Sequence, residues 1–239
     1  GGPSWLLSRD DAGKAPAALA QVLRDALATD RALLLLLDGV EHLVAPFNPP
    51  LRLVIIGAVH IAQSVIPIAQ GLGYDVTVID PRGAFATGAR FPGIALHADW
   101  PDEIIPRLGF DARTALVALT HDPKIDDPAL ESVLPGPAFY VGALGSSRTH
   151  AKRVARLKES GITDAQIARI GSPVGLDIGA KSPAEIAISI LAEDGASVRE
   201  GDPVVSVTGP THALLTAERP ALNMLGHLSG IATLTRRWV

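Results

Sequence analysis

The residues of this chain that could bind a charged ligand fall into short groups, and the first group is a glycine turn. Residues Gly57 to Ala62 read GAVHIA. Dinucleotide sites carry G-x-G-x-x-G/A at such a turn, because glycines let the backbone approach a pyrophosphate at a helix N-terminus. Val59 stands at the second glycine position, where its side chain crowds that approach. The turn therefore predicts phosphate binding and weakens the case for NAD(P), and a turn without any ligand is the alternative.

An acidic residue follows this turn. Asp80 comes 23 residues after Gly57, close to the spacing of about 20 at which an acidic residue of dinucleotide-binding proteins bonds a ribose hydroxyl. Arg82, two positions later, could instead pair with a phosphate. Asp80-Pro81 is also typical of a turn, so a structural aspartate is the alternative.

Two polar groups follow later apolar runs. His121, Asp122 and Lys124 suit acid–base work or contact with an anion or a pterin, and metal binding is disfavoured because no second histidine lies at ligand spacing. The stretch Gly145 to Arg148 (GSSR) combines hydroxyls, backbone N–H groups and a guanidinium, as a phosphate cradle would. No G-x-S-x-G motif supports Ser146 as a nucleophile. A helix N-cap with a solvated basic face is the alternative.

Asp177 and Lys181 belong to a glycine-punctuated loop without an obvious core role, which favours ligand contact. No catalytic residue and no metal ligand is predicted. The candidate cofactor-binding residues are Gly57, Ala58, Val59, His60, Asp80, Arg82, His121, Asp122, Lys124, Gly145, Ser146, Ser147, Arg148, Asp177 and Lys181.

Apolar runs place these groups at strand ends. Strand, glycine turn, helix and strand between Leu51 and Asp80 form a βαβ unit, which requires a parallel sheet. The pattern predicts an α/β fold, a Rossmann-like doubly wound sheet of about five parallel strands with a short helix-rich C-terminal appendage. Since carboxyl ends of parallel strands share one edge, the groups should line one crevice. The predicted strands are 51–56, 74–79, 93–97, 114–119, 138–141 and 204–207, with 32–37 as a possible edge strand. The predicted helices are 15–28, 60–72, 101–108, 125–134, 149–160 and 183–193.

Composition limits the function classes. The chain has 239 residues, 47% of them hydrophobic and 19% charged, with a net charge of −4 and no cysteine. These values predict a folded protein without disulfides or thiolate chemistry and with no basic field for nucleic acid. The leucines at 33–37 are too few to cross a membrane, so a cytoplasmic protein is expected.

The motifs together resemble the XdhC/CoxI family, the accessory proteins of xanthine dehydrogenase and related molybdenum hydroxylases. The matching strings are FNPPLRLVIIGAVHIAQ (47–63), YDVTVIDPRGAFAT (74–87), LTHDPKIDDPAL (119–130), FYVGALGSSRTHAKR (139–153) and GLDIGAKSPAEIAISILAE (175–193). The resemblance implies a Rossmann domain that binds molybdopterin or the molybdenum cofactor in transit. It also implies an apo-xanthine dehydrogenase or related molybdenum hydroxylase as partner, with a cysteine desulfurase as a further candidate and a homodimer as the expected assembly. The family's N-terminal domain with its cysteine motif is not recognisable in residues 1–46.

The C-terminal segment resembles a different family. Residues 200–239, with Glu218 and Arg219, are similar to the N-terminal part of nicotinate-nucleotide (quinolinate) phosphoribosyltransferases and ModD-like proteins. A natural fusion, a truncated fusion and a chimera are all open. The expected division is a remnant segment at 1–46, a Rossmann-like domain at 47–193 and a phosphoribosyltransferase-like segment at 194–239.

The leading expectation is therefore a non-catalytic chaperone that binds the molybdenum cofactor. The alternatives are an NAD(P)-dependent oxidoreductase that uses the same crevice and, on the C-terminal segment alone, a fragment of a phosphoribosyltransferase fusion.

Overall fold

A computed structural model describes residues 17–29, 32–37 and 39–191. The predicted phosphoribosyltransferase-like segment at 194–239 and residues 1–16 of the predicted N-terminal segment at 1–46 lie outside these residues. Within residues 17–50, helix α1 (Ala17–Thr29) packs on an antiparallel pair, β1 (Leu33–Leu37) and β2 (Val40–Val44). Strand β2 was not predicted, although Asp38-Gly39 is a typical hairpin sequence.

The second unit, described from residue 51 to 191, is a parallel sheet with helices on both faces. Its elements are β3 (Arg52–Ile56), α2 (His60–Gly71), β4 (Asp75–Ile79), β5 (Ala95–His97), α3 (Pro101–Leu108), β6 (Thr114–Ala118), α4 (Pro123–Val133), β7 (Tyr140–Ala143), α5 (Ser147–Glu159), α6 (Asp164–Ile167), β8 (Ile170–Gly171) and α7 (Pro183–Leu191). The predicted α/β class and doubly wound parallel sheet are confirmed.

The strand order is β5-β4-β3-β6-β7-β8, one strand more than expected. Strand β8 was missed because it has only two residues, Ile170 and Gly171. Helix α6 was also missed, although Thr163 and Gln166 form the capping box that announces a helix start.

The central strands are apolar on both faces because helices cover both. On one face Val54, Ile56 and Leu116 pack with residues of α3, α4 and α5. On the other face Leu53, Ile55 and Val117 pack with residues of α2 and α7. This burial on two sides explains why β3 and β6 read as continuous apolar runs rather than alternating ones.

The order reverses between the neighbours β3 and β6. The chain continues from β3 to β4 on one side and from β6 to β7 on the other, so the connections after β3 and β6 diverge and leave a crevice at the carboxyl edge. Gly57 follows β3 and His121 follows β6 closely, while Asp80 follows β4 and Ser146 follows β7. The carboxyl edge of the sheet therefore gathers four of the predicted groups. No described helix is both long and apolar enough to cross a bilayer.

Candidate functional site

The glycine turn is fitted to the neighbouring strand connection. Gly57 has φ +108°, and its N–H donates to the Ile79 carbonyl at 2.8 Å. A Cβ at Gly57 would lie 2.6 Å from Thr120 Cγ2. Glycine is thus required here by the approach of Thr120, independently of any ligand.

The other residues of the turn divide between core and solvent. Ala58 is fully buried, and Val59 packs against the α2–α7 side of the core. Val59 is also the N-cap residue of α2 and makes no side-chain cap bond, while His60 at the first helical position is exposed. The bulk of Val59 therefore has a packing role, and binding of a phosphate by this turn stays a prediction.

Asp80 is a buried ion that closes the same turn. Its Oδ2 accepts from Ala58 N and Arg82 Nη2, both at 2.8 Å, and its Oδ1 accepts from Arg82 N at 3.0 Å and Arg82 Nε at 2.9 Å. Its exposed fraction is 0%. A ribose hydroxyl or a phosphate at Ala58 N would have to displace one of these bonds, because each carboxylate oxygen already accepts two.

The pKa values agree with a persistent Asp80–Arg82 ion pair. Burial alone would raise the pKa of Asp80, but the hydrogen bonds from Arg82 and Ala58 outweigh it and hold the pKa below its ordinary value. The hydrogen bond to Asp80 raises the pKa of Arg82. Both groups are therefore charged at neutral pH.

The connection after β6 leads into the N-terminus of α4. Thr120 Oγ1 accepts from Asp122 N at 3.0 Å and donates to Asp126 Oδ1 at 2.6 Å. Asp122 is the N-cap residue, since its Oδ1 accepts from Lys124 N at 3.0 Å. His121 lies between them with φ +62°, and its side chain is exposed.

The connection after β7 leads into the N-terminus of α5. Ser146 Oγ accepts from Thr149 N at 3.3 Å, so Ser146 is a helix N-cap residue, in agreement with the alternative interpretation of the GSSR stretch. Gly145 has φ +141°, and a Cβ there would lie 3.1 Å from Thr149 Cγ2. Ser147 and Arg148, which begin the helix, are exposed.

A cavity of about 230 Å³ lies between the N-terminal parts of α4 and α5. It brings together His121 and Arg148, two of the predicted residues. It also contains residues that sequence reasoning missed. Its lining consists of His121, Pro123, Asp126, Asp127, Arg148, Thr149, Lys152, Arg153 and Arg156.

A sequence signal for the α5 side of this lining did exist. Arg148 and Lys152 are spaced by four residues, as are Thr149 and Arg153, and Arg156 follows three residues later, so these side chains share one side of a helix. The same spacing is typical of a solvated basic face. Only the packing of α4 beside α5 turns that side into a cavity wall.

Asp126 and Arg153 are buried in this lining with polar atoms that lack partners. Their exposed fractions are 1% and 2%. Arg153 Nη2 donates to Leu144 O at 2.9 Å, whereas Arg153 Nε, Arg153 Nη1 and Asp126 Oδ2 have no hydrogen-bond partner in the described residues. Arg153 Nη2 and Asp126 Oδ2 are 3.9 Å apart, too far for a hydrogen bond. Buried polar atoms of this kind are normally satisfied by protein, water or a ligand, so this pair is a candidate point of ligand contact.

Burial disfavours the ionised form of both Asp126 and Arg153. It raises the pKa of Asp126 despite the hydrogen bond from Thr120 and the attraction of Arg153. It also lowers the pKa of Arg153 despite the nearby carboxylates of Asp126 and Asp127. The pair is thus held close without the direct hydrogen bonds that would stabilise it.

The other charged residues of the lining carry a net positive charge. Asp127 accepts hydrogen bonds from Arg156 Nε and, at 3.2 Å, from Arg156 Nη2, so these two charges offset each other. Arg148 and Lys152 have no carboxylate partner among the lining residues. The cavity therefore has an excess of two positive charges beside the N-termini of two helices, which favours an anionic ligand.

Asp177 and Lys181 do not line this cavity. Asp177 is exposed and its Oδ1 accepts from Gly179 N at 3.4 Å, while the backbone N–H of Lys181 donates to Glu185 Oε2 at 2.8 Å. Asp177 comes six residues after the end of β8. Their role in ligand binding stays a prediction.

His121 is the one non-glycine residue with positive φ among the described residues. We expect His121→Gly to raise the free energy of unfolding by up to about 1 kcal/mol, because glycine adopts this backbone conformation without strain. Urea unfolding of both proteins measures this difference. A clear loss of stability would show that the exposed imidazole makes a contact that stabilises the fold.

Comparison with known proteins places this unit in a family. The model of the XdhC Rossmann domain matches residues 53–193. The uncharacterized protein YqeB of Escherichia coli K12 is 35% identical over 144 residues, 59% of this chain and 26% of YqeB. The molybdenum cofactor insertion chaperone PaoD of the same organism is 33% identical over 163 residues, 68% of this chain and 44% of PaoD. The chain thus spans less than half the length of these relatives.

A solved structure and a second kind of relative complete the comparison. The crystal structure of a xanthine dehydrogenase from Bacillus halodurans superposes with a TM-score of 0.52 and 29% identity, covering 63% of this chain and 42% of that one. The second predicted resemblance is also found, because a nicotinate-nucleotide pyrophosphorylase of Mycobacterium leprae is 51% identical over 47 residues, 20% of this chain and 16% of that enzyme. Since the family model covers more than half of its residues, the chain belongs to the XdhC family and carries that family's Rossmann domain.

Proposed function

We propose that this protein binds the molybdenum cofactor and serves as an accessory chaperone for a xanthine dehydrogenase or a related molybdenum hydroxylase. PaoD, which shares 33% identity with it, is a molybdenum cofactor insertion chaperone. The observation that carries the proposal is the α4–α5 cavity at the carboxyl edge of the sheet, with its excess positive charge and with polar atoms of Arg153 and Asp126 that have no hydrogen-bond partner in the described residues. Molybdopterin is anionic through its phosphate, so its charge suits this lining.

The size of the cavity limits how much of the cofactor it encloses. At about 230 Å³ it is smaller than the roughly 300–1,000 Å³ of pockets that enclose a drug-sized ligand. The cavity therefore holds one part of the cofactor and leaves the rest accessible. Such partial enclosure suits a protein that must hand its ligand to a partner.

Molybdopterin binding by the full chain tests the proposal. We expect micromolar or tighter binding, and we expect Arg148→Ala and Lys152→Ala each to weaken it about tenfold, or roughly 1.4 kcal/mol, because each removes an uncompensated positive charge from the lining. Isothermal titration calorimetry measures these affinities. Binding should also weaken with added salt, since both cations are exposed.

A matched control separates this effect from a general change in charge. Arg107→Ala removes one positive charge from the end of α3 that leads into β6, at the amino edge of the sheet, and should leave the affinity unchanged. Equal losses in Arg107→Ala and Arg148→Ala, or no molybdopterin binding by the wild type, would contradict the proposal.

The NAD(P)-dependent alternative is not supported by the turn after β3. The polar groups of this turn already have partners. Asp80 Oδ2 accepts from Ala58 N, and both carboxylate oxygens of Asp80 accept from Arg82. The homodimer, the cysteine desulfurase and the division at residues 46 and 193 stay predictions.

A further inference from the structure

Two side chains in the lining of the α4–α5 cavity, Asp126 and Arg153, have buried polar atoms without hydrogen-bond partners in the described residues. Asp126 Oδ1 is occupied by the Thr120 hydroxyl, and Oδ2 has no donor within the described residues. Arg153 Nη2 is occupied by the Leu144 carbonyl, and Nε and Nη1 have no acceptor there. A complementary ligand must donate a hydrogen bond to Asp126 and accept one from Arg153.

The two side chains do not satisfy each other because each is held by its own partner. Thr120 fixes the carboxylate from the β6 side, and the Leu144 carbonyl fixes the guanidinium from the β7 side. The closest atoms of the pair remain 3.9 Å apart. An acceptor and several donors therefore lie next to each other in the lining, and because they are almost fully buried, a ligand reaches them only when the surrounding side chains move.

A phosphate does not match this edge. At neutral pH its oxygens are acceptors, so it would satisfy Arg153 but would leave Asp126 Oδ2 facing negative charge. In molybdopterin the pterin ring alone carries N–H donors, and its 2-amino-4-oxopyrimidine edge places them beside a carbonyl oxygen. The carboxylate of Asp126 can accept a hydrogen bond from the amino group of the ring, and the guanidinium of Arg153 can donate one to its carbonyl oxygen. The two pairs of groups are therefore complementary.

We propose that Asp126 and Arg153 bind the 2-amino-4-oxopyrimidine edge of a pterin, which leaves the exposed cations Arg148 and Lys152 for the phosphate. This inference rests on the proposed function and adds which part of the cofactor enters the cavity. The volume of about 230 Å³ is consistent with one ring system rather than the whole cofactor.

The fluorescence of two free ring compounds tests the inference on the full chain. Pterin carries the 2-amino group, and lumazine carries a carbonyl oxygen in its place. We expect the wild type to bind pterin at least tenfold more tightly than lumazine, because the lumazine oxygen would face Asp126 Oδ2. Inorganic phosphate should not displace pterin.

Asp126→Asn should reverse this preference, so that the variant binds lumazine at least tenfold more tightly than pterin. Asparagine keeps the shape and can still accept from Thr120 through Oδ1, but it presents an N–H donor where Oδ2 stands. Asp75→Asn, the same substitution at the amino end of β4, is the matched control and should leave the preference unchanged.

Several outcomes would overturn the inference. Equal affinity of the wild type for pterin and lumazine, binding of neither ring, or displacement of pterin by phosphate would each do so without any variant, so the test does not depend on the folding of Asp126→Asn. An unchanged preference in a folded Asp126→Asn would do so as well. If molybdopterin binds but the ring preference is absent, only this inference fails; if pterin binds with the expected preference but molybdopterin does not, the proposed function fails instead.

Discussion

Asp80→Ala should lower the free energy of unfolding by about 3 kcal/mol or more. The substitution leaves the buried N–H of Ala58 without an acceptor and removes three hydrogen bonds from Arg82. An unsatisfied buried donor costs about 1–3 kcal/mol, and a hydrogen bond to a charged group contributes about 1.5–3 kcal/mol. The Arg82 side chain is 34% exposed and can recover water, which keeps the loss below a simple sum. Urea unfolding at pH 7 measures the effect.

The stability difference between the wild type and Asp80→Ala should depend on pH in a definite direction. The folded-state pKa of Asp80 lies below its ordinary value, so the carboxylate contributes its full stability above the unfolded-state pKa of about 3.9. That contribution is lost as the pH falls through the lower folded-state value. The difference between wild type and Asp80→Ala should therefore be constant between about pH 5 and pH 8 and shrink below about pH 4.

The same variant separates a structural aspartate from a cofactor ligand. A loss of less than 1 kcal/mol together with a loss of cofactor affinity would show that Asp80 contacts the ligand, as the sequence alone suggested. Arg82→Ala is the companion variant. It should also destabilise, because it removes the positive charge beside a carboxylate that is 0% exposed.

Gly57→Ala should cost about 2–6 kcal/mol of stability. A non-glycine residue in a disfavoured conformation costs about 1–3 kcal/mol, and Gly57 has φ +108°. Overpacking adds about 1–3 kcal/mol, since the new Cβ would lie 2.6 Å from Thr120 Cγ2. Thermal and urea unfolding check the size of the loss.

Thr120→Ser isolates the steric part of this cost. Serine lacks the Cγ2 methyl group but keeps the hydroxyl that bonds Asp122 N and Asp126 Oδ1. In a double-mutant cycle, Gly57→Ala should therefore cost about 1 kcal/mol less in the Thr120→Ser background, with the backbone strain remaining. An equal cost in both backgrounds would mean that the Thr120 methyl group is not the reason for the glycine.

Much of the second unit could be predicted because its signals are local. Continuous apolar runs identify β3, β4 and β6, and Pro101 and Pro183 mark helix starts that the structure has at the same residues. The capping bonds of Ser182 with Glu185 were likewise readable, and both are present at 2.8 Å and 3.2 Å. Two-residue β8 and four-residue α6 are too short for a periodic signal, which explains why they were missed.

The candidate site was harder to predict because its parts are separated in sequence. Residues at strand ends, such as His121 and Arg148, could be named, since topology alone brings them to one edge. Asp126 and Arg153 lie inside helices, where a charged residue ordinarily faces water. Their burial depends on α4 packing beside α5.

The sequence by itself determined that this chain forms a doubly wound sheet and which connections lie at its carboxyl edge, because period and turn chemistry are properties of neighbouring residues. The tertiary structure decided which polar groups are available there. It bonds Asp80 to Ala58 and Arg82, and it leaves Asp126 and Arg153 buried without full partners. The physical reason is that hydrogen-bond satisfaction depends on distances between segments tens of residues apart, which only packing of the whole domain fixes.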